Sequence, residues 1–128
     1  CALALEAIDI IINEKMIENV RHLEPIFMGG LKNFEDLEFI GESRGIGLMG
    51  ALEMVQDKKS KLPFDGSISI GERVANKCIE NGLICRPLGP SIVLCPPFIT
   101  TEDEMVVIFD TLEKTLKEVF NEVKSLGQ

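Results

Sequence analysis

Residues 82–97 read GLICRPLGPSIVLCPP. Two short apolar runs, Leu83–Arg86 and Ser91–Cys95, flank Pro87-Leu88-Gly89-Pro90. Each run is too short for a helix, and the Pro-Gly-Pro segment between them supplies a turn. The stretch therefore reads as a β-hairpin. Pro96-Pro97 stops the second strand, because proline offers no ladder donor. Gly82 ends whatever helix precedes the hairpin.

Working upstream, Ile68–Asn81 carries Ile70, Val74, Cys78 and Ile79 near one helical face, with Ser67 or Ser69 available as a cap. Before it, residues 56–67 (QDKKSKLPFDGS) form a polar connection containing Pro63 and Gly66. Residues 37–43 (LEFIGES) and 46–55 (IGLMGALEMV) read as two strands joined at Arg44-Gly45. Gly47 and Gly50 in the second imply a bulge or a close backbone approach. Residues 2–29 read as a helix with Leu5, Ile8, Ile12, Ile17 and Val20 at helical spacing, interrupted or kinked at Pro25 and ended by Gly29-Gly30.

Downstream of the hairpin, Thr100 or Thr101 caps a long helix that runs to about Leu126. Thr101 and Glu104 have capping-box spacing, and Met105, Ile108, Leu112, Leu116 and Val119 form its apolar stripe. The order is α-β-β-α-β-β-α. Two hairpins alternating with helices predict an α+β fold, a mainly antiparallel sheet with helices packed on one face.

A chain of 128 residues fits one domain. It has no Trp or Tyr, so its core is aliphatic with Phe as the only aromatic. The formal net charge of −8 repels phosphate backbones, which argues against nucleic acid as a partner. No apolar stretch reaches membrane-spanning length. Cys1, Cys78, Cys85 and Cys95 show no CxxC spacing, and His22 is the sole histidine, so a metal site is not expected. Thiols acting as small apolar residues point to a cytoplasmic setting. Residues 1–12 are apolar on nearly every side apart from Glu6 and Asp9. A helix that begins this abruptly, uncapped, is expected to be covered by something else, and the chain reads as an excerpt.

Self-contained catalysis finds no support. There is no GxSxG, HExxH or GxxxxGK[ST] motif. His22 reads as a surface residue. Glu35-Asp36 and Glu102-Asp103-Glu104 fall in turns or first helical turns, where the helix dipole favours acids. A Schiff-base lysine must be desolvated in a pocket, and no lysine here ends an apolar strand. Arg86 stands apart. It ends an apolar run beside a rigid turn, where a guanidinium can grip a carboxylate through two parallel hydrogen bonds. By spacing alone it reads as a surface salt bridge.

Three segments, in order, resemble the C-terminal part of class III aminotransferases of the omega-amino acid:pyruvate type. Cys1–Ile8 resembles the long helix of that family. Ser43-Arg44-Gly45-Ile46-Gly47-Leu48-Met49-Gly50-Ala51-Leu52-Glu53 resembles its Arg-Gly-x-Gly-Leu-Met strand pair. Gly82–Gly89 followed by Ile92–Pro97 resembles the hairpin before its terminal helix. The resemblance implies a small domain over residues 1–128, with 1–29 as the connection from a large domain. It implies that Arg86 binds the substrate carboxylate and swings aside for a donor without one. Arg44 also lies in a matched motif but reads as structural, pairing at a strand turn. It further implies pyridoxal 5′-phosphate held by the large domain through a Schiff-base lysine, an aspartate and phosphate ligands, so that no catalytic, cofactor-binding or metal-binding residue is expected in this chain. The implied reaction passes an amino group from an amine or omega-amino acid to a keto acid such as pyruvate, in a homodimer. The alternative reading is a stand-alone α+β ligand-binding or regulatory module.

Overall fold

Four strands form one open, wholly antiparallel sheet in the order β1-β2-β4-β3. These are β1 (Ile40–Ile46), β2 (Met49–Met54), β3 (Arg86–Leu88) and β4 (Ser91–Leu94). The helices are α1 (Ala2–Asn13), α2 (Met16–Asn33), α3 (Ile70–Glu80) and α4 (Glu102–Ser125), with single 3-10 turns at Phe34–Asp36 and Gly66–Ile68. The computed structural model describes residues 1–125. The fold is α+β, as expected.

The two hairpins meet along β2 and β4, where Gly50 faces Leu94 and Leu52 faces Ile92. Alternation along the strands sends Gly50, Leu52, Met54, Ile92 and Leu94 to one face. All five are buried there. Helices α2 and α3 pack on this face, and α4 packs over both. Leu23, Phe27 and Leu31 of α2, Val74 and Cys78 of α3, and Met105, Leu112, Leu116 and Val119 of α4 complete one core.

The single helix expected over residues 2–29 is two helices. Lys15 takes a left-handed conformation (φ 53, ψ 39) and ends α1's direction. Pro25 lies inside α2 without ending it. The missing N–H costs one bond to the carbonyl four residues back, and burial of Leu23, Phe27 and Leu31 on either side outweighs that loss. Gly29-Gly30 do not cap the helix, which continues to Asn33. A Cβ on Gly30 would stand 2.3 Å from the Phe109 ring, so this glycine lets α2 and α4 approach closely. Helix α1 has no buried residue, and its Leu3 is 89% exposed.

The first hairpin turns at Gly47-Leu48, not at Arg44-Gly45, because Ile46 pairs with Met49. Gly47 has a positive φ of 57 and Leu48 does not, the arrangement of a type II′ loop that matches strand twist. The second hairpin likewise turns at Gly89-Pro90, with Leu88 opposite Ser91 and Gly89 at φ 57. The strand expected at Leu83–Arg86 begins only at Arg86, because Leu83 is used by the preceding helix. Leu83 N–H donates to Cys78 C=O (2.8 Å) and Gly82 N–H to Ile79 C=O (3.0 Å), a Schellman cap with Gly82 at φ 86.

Helix α3 begins at Ile70 instead of Ile68, and neither Ser67 nor Ser69 caps it through a side chain. Asp65 instead accepts from Ser67 N–H and caps the start of the 3-10 turn. Thr101 and Glu104 form the expected capping box, with Thr101 N–H to Glu104 Oε2 at 2.8 Å and Glu104 N–H to Thr101 Oγ1 at 3.3 Å. The end expected near Leu126 lies outside the described residues.

Two substitutions measure these devices. Thr101→Ala is expected to lower unfolding free energy by about 1 kcal/mol, read as a shifted urea midpoint at constant slope. Gly71 has a stronger constraint: a Cβ there would lie 2.2 Å from the Gly89 carbonyl oxygen. Backbone cannot rotate out of the way, so Gly71→Ala is expected to cost roughly 1–3 kcal/mol and to loosen the β3–β4 turn.

Candidate functional site

Arg86 opens β3 opposite Val93 and projects from the sheet face that carries no helix. Its side chain is exposed, and it makes no hydrogen bond or ion pair among the described residues. Two other arginines are occupied. Arg73 Nε donates to the Ile68 carbonyl at 2.8 Å. Arg44 donates to Glu53 at 2.9 Å and lies 3.6 Å from Glu42. Arg86 is also held firmly at its base. Pro87 follows it, the two-residue Gly89-Pro90 loop closes the hairpin, and Gly71 of α3 abuts the back of that loop.

The strand register defines what surrounds it. Arg44, Ala51, Val93 and Arg86 form one row across the four strands. Glu42, Glu53, Ser91 and Leu88 form the next. Ile46, Met49 and Leu88 add exposed apolar surface to the same face. Its two guanidinium groups are thus mixed with two carboxylates and an apolar rim. The hydrogen bond that Arg44 donates to Glu53, reinforced by the charges of Glu53 and Glu42, holds the Arg44 proton more firmly than usual. Arg44 is paired, as expected of it, but it stands mid-strand and not at a turn. Glu42 and Glu53 were not singled out in the sequence. The period-two placement of Glu42 and Arg44 is the available signal, and it becomes legible only once the turn is placed at Gly47-Leu48.

The other polar groups have local duties. His22 meets Glu102 at 2.6 Å, both exposed, on the α2–α4 rim. Asn19 Nδ2 donates to the Phe98 and Thr100 carbonyls at 2.7 and 3.1 Å, tying α2 to the loop before α4. Glu35 accepts from Ser43 Oγ and N–H, and these bonds lower its pKa. Cys85 has its pKa pushed up by its hydrogen bond with Cys78 and by burial. No group of metal-binding side chains forms among the described residues, and no described helix is long and apolar enough to cross a membrane.

The geometry defines an α+β unit that presents a free guanidinium on an uncovered sheet face. The family model described as aminotransferase class-III matches residues 1–116. The adenosylmethionine-8-amino-7-oxononanoate aminotransferase of Methanocaldococcus jannaschii is 37% identical over 118 residues, covering 92% of this chain and 26% of that protein. An omega-aminotransferase from Paracoccus denitrificans superposes with a TM-score of 0.94 at 59% identity, over 96% of this chain and 27% of that one. The PMP-bound form of an aminotransferase from Vibrio fluvialis gives the same TM-score of 0.94 and identity of 59%, again over 96% and 27%. This chain belongs to the class-III aminotransferases, and it spans about a quarter of the length of these relatives.

A pyridoxal cofactor needs a desolvated lysine. No lysine is buried among the described residues. Lys77 is half-buried and paired with Glu80 at 2.9 Å, while Lys114, Lys117 and Lys124 sit in exposed ion pairs.

Proposed function

We propose that this chain is the C-terminal small domain of a class III aminotransferase of the omega-amino acid:pyruvate type, and that Arg86 binds the substrate carboxylate. The observation that carries this reading is the unpaired guanidinium on a rigid strand end, set on a face with no helix over it. A carboxylate arriving there meets parallel donors already aligned, so little orientation is lost on binding.

On this reading the remainder of the protein holds pyridoxal 5′-phosphate, which supplies the electron sink for amino transfer. This chain orients substrates and carries no step on the cofactor itself. The substrates are an amine or omega-amino acid and a keto acid such as pyruvate. The complete enzyme is a cytoplasmic homodimer, and residues 1–29 connect the two domains. Support comes from the 59% identity to a chain described as an omega-aminotransferase, from the PMP-bound state of a second neighbour, and from helix α1, whose apolar residues find no cover within this chain.

The test is Arg86→Ala in the complete enzyme, with the keto-acid and amine half-reactions followed separately. Loss confined to carboxylate-bearing substrates is the expected result. Equal loss on substrates with and without a carboxylate would overturn the assignment.

A further inference from the structure

Asn81 is the only asparagine of the chain followed by glycine. Such a pair is chemically labile. Glycine has no Cβ to shield its backbone nitrogen, so that nitrogen can attack the carboxamide of the asparagine before it. The pair lies where α3 ends and the chain turns toward β3. Asn81 closes the helix at φ −89 and ψ 6, and Gly82 follows at φ 86.

The fold holds this pair out of reaction in two ways. The first is in the backbone. Attack needs the Gly82 nitrogen eclipsed with the Asn81 side chain. At ψ 6 it is eclipsed with the Asn81 nitrogen instead, on another side of the Cα–C bond. The Gly82 N–H is also spent on the Ile79 carbonyl (3.0 Å), and the Leu83 N–H on that of Cys78 (2.8 Å). The second is in the side chain. Asn81 Nδ2 donates to Thr115 Oγ1 (3.0 Å) and Glu118 Oε2 (3.3 Å), and Lys114 Nζ donates to Asn81 Oδ1 (3.2 Å). All three partners stand on α4. Thr115 is fully buried and gives its own proton to the Thr111 carbonyl (2.8 Å), so its oxygen is fixed as an acceptor for Asn81.

We propose that Asn81 is a deamidation site gated by the α3–α4 junction, reacting only when the last turn of α3 parts from α4. In the open state the Gly82 nitrogen bonds to Asn81 Cγ, the Cγ–Nδ2 bond breaks, and Nδ2 leaves as ammonia with the proton that Gly82 gives up. Water then opens the cyclic imide at either carbonyl, leaving aspartate or isoaspartate. Neither product rebuilds the lock. An aspartate has no N–H for Thr115 and sets a carboxylate against Glu118. An isoaspartate runs the main chain through the side chain, which breaks the Schellman pairing of Gly82 and Leu83. The segment that loosens is the one that leads into β3.

The experiment incubates the complete enzyme at mildly alkaline pH and follows aspartate and isoaspartate at position 81 by peptide mapping. Asn81 is expected to react at least about thirtyfold more slowly in the folded than in the denatured protein, because a locally opened segment is rarely populated. Thr115→Val keeps the shape and removes the acceptor. It is expected to speed the reaction about five- to tenfold, the effect of one lost hydrogen bond on the opening equilibrium. Lys114 is exposed, so Lys114→Met leaves the core untouched; it is expected to speed the reaction about two- to fivefold and decides alone should Thr115→Val fold poorly. Thr101→Ala weakens the far end of α4 and is expected to leave the rate at Asn81 unchanged, because the opening is local. Equal rates in folded and denatured protein, no acceleration in the deciding variant, or an acceleration by Thr101→Ala as large as that variant's, would each overturn the proposal. The site stands independently of the role of Arg86, so failure of either reading leaves the other intact.

Discussion

Arg86→Ala in the complete enzyme is expected to raise the KM for a keto acid about 10- to 100-fold while changing that of a simple amine by less than about threefold. The magnitude follows from hydrogen bonds to charged groups, roughly 1.5–3 kcal/mol, at 1.4 kcal/mol per tenfold. Alanine removes charge and fork together, so Arg86→Lys separates them. Lysine keeps the charge but cannot offer two parallel donors. It is expected to recover part of the loss and to tolerate changes in acceptor shape. Full recovery by lysine would show that charge alone matters at this site and that the aligned geometry of β3 does not. The fold is arranged to make this difference visible. Pro87, the Gly89-Pro90 loop and the contact of Gly71 with the Gly89 carbonyl limit how far the base of the side chain can shift.

The second large effect concerns the fold. Phe27→Ala is expected to destabilise the domain by about 3–5 kcal/mol, because a fully buried ring is removed and its cavity cannot collapse. Phe27 is 0% exposed and its ring centroid lies 5.9 Å from that of Phe109. It also covers Gly50, where an added Cβ would stand 2.8 Å from the ring and 2.3 Å from Leu31. Helix α2, helix α4 and the central strand β2 thus meet at one side chain. For a domain of this size the loss corresponds to a fall in melting temperature of roughly 10–20 °C. Phe27→Leu is expected to recover most of it, since it leaves a smaller void. A fall of under about 5 °C for Phe27→Ala in a thermal melt would mean that α2 is held mainly by other contacts.

Residues 82–97 and 101–104 show what local chemistry settles. A proline-glycine turn between short apolar runs admits little but a hairpin, and the capping box at Thr101-Glu104 forms at the expected residues. The class of fold was legible, and so was the setting of Arg86 after an apolar run and beside a rigid turn. The boundaries that moved did so for tertiary reasons. Gly29-Gly30 look like a helix stop to any local rule, yet the helix passes through them because Gly30 lies against Phe109, about eighty positions away. Arg44-Gly45 looks like a turn, yet the chain runs straight on because Gly45 pairs with Gly50, and Gly50 must leave room for Phe27 and Leu31.

The open face is the clearest case. Patterning of apolar residues specifies that a sheet forms and which side of each strand is dry, because those depend on neighbours one or two residues away. Which charged groups share the wet side does not follow from pattern. A shift of one residue in the first hairpin would exchange the faces of Arg44 and its pairing strand, since successive side chains point opposite ways. Only the packing of β2 between β1 and β4 sets that register, and with it the placement of Glu42, Arg44, Glu53 and Arg86 on one surface.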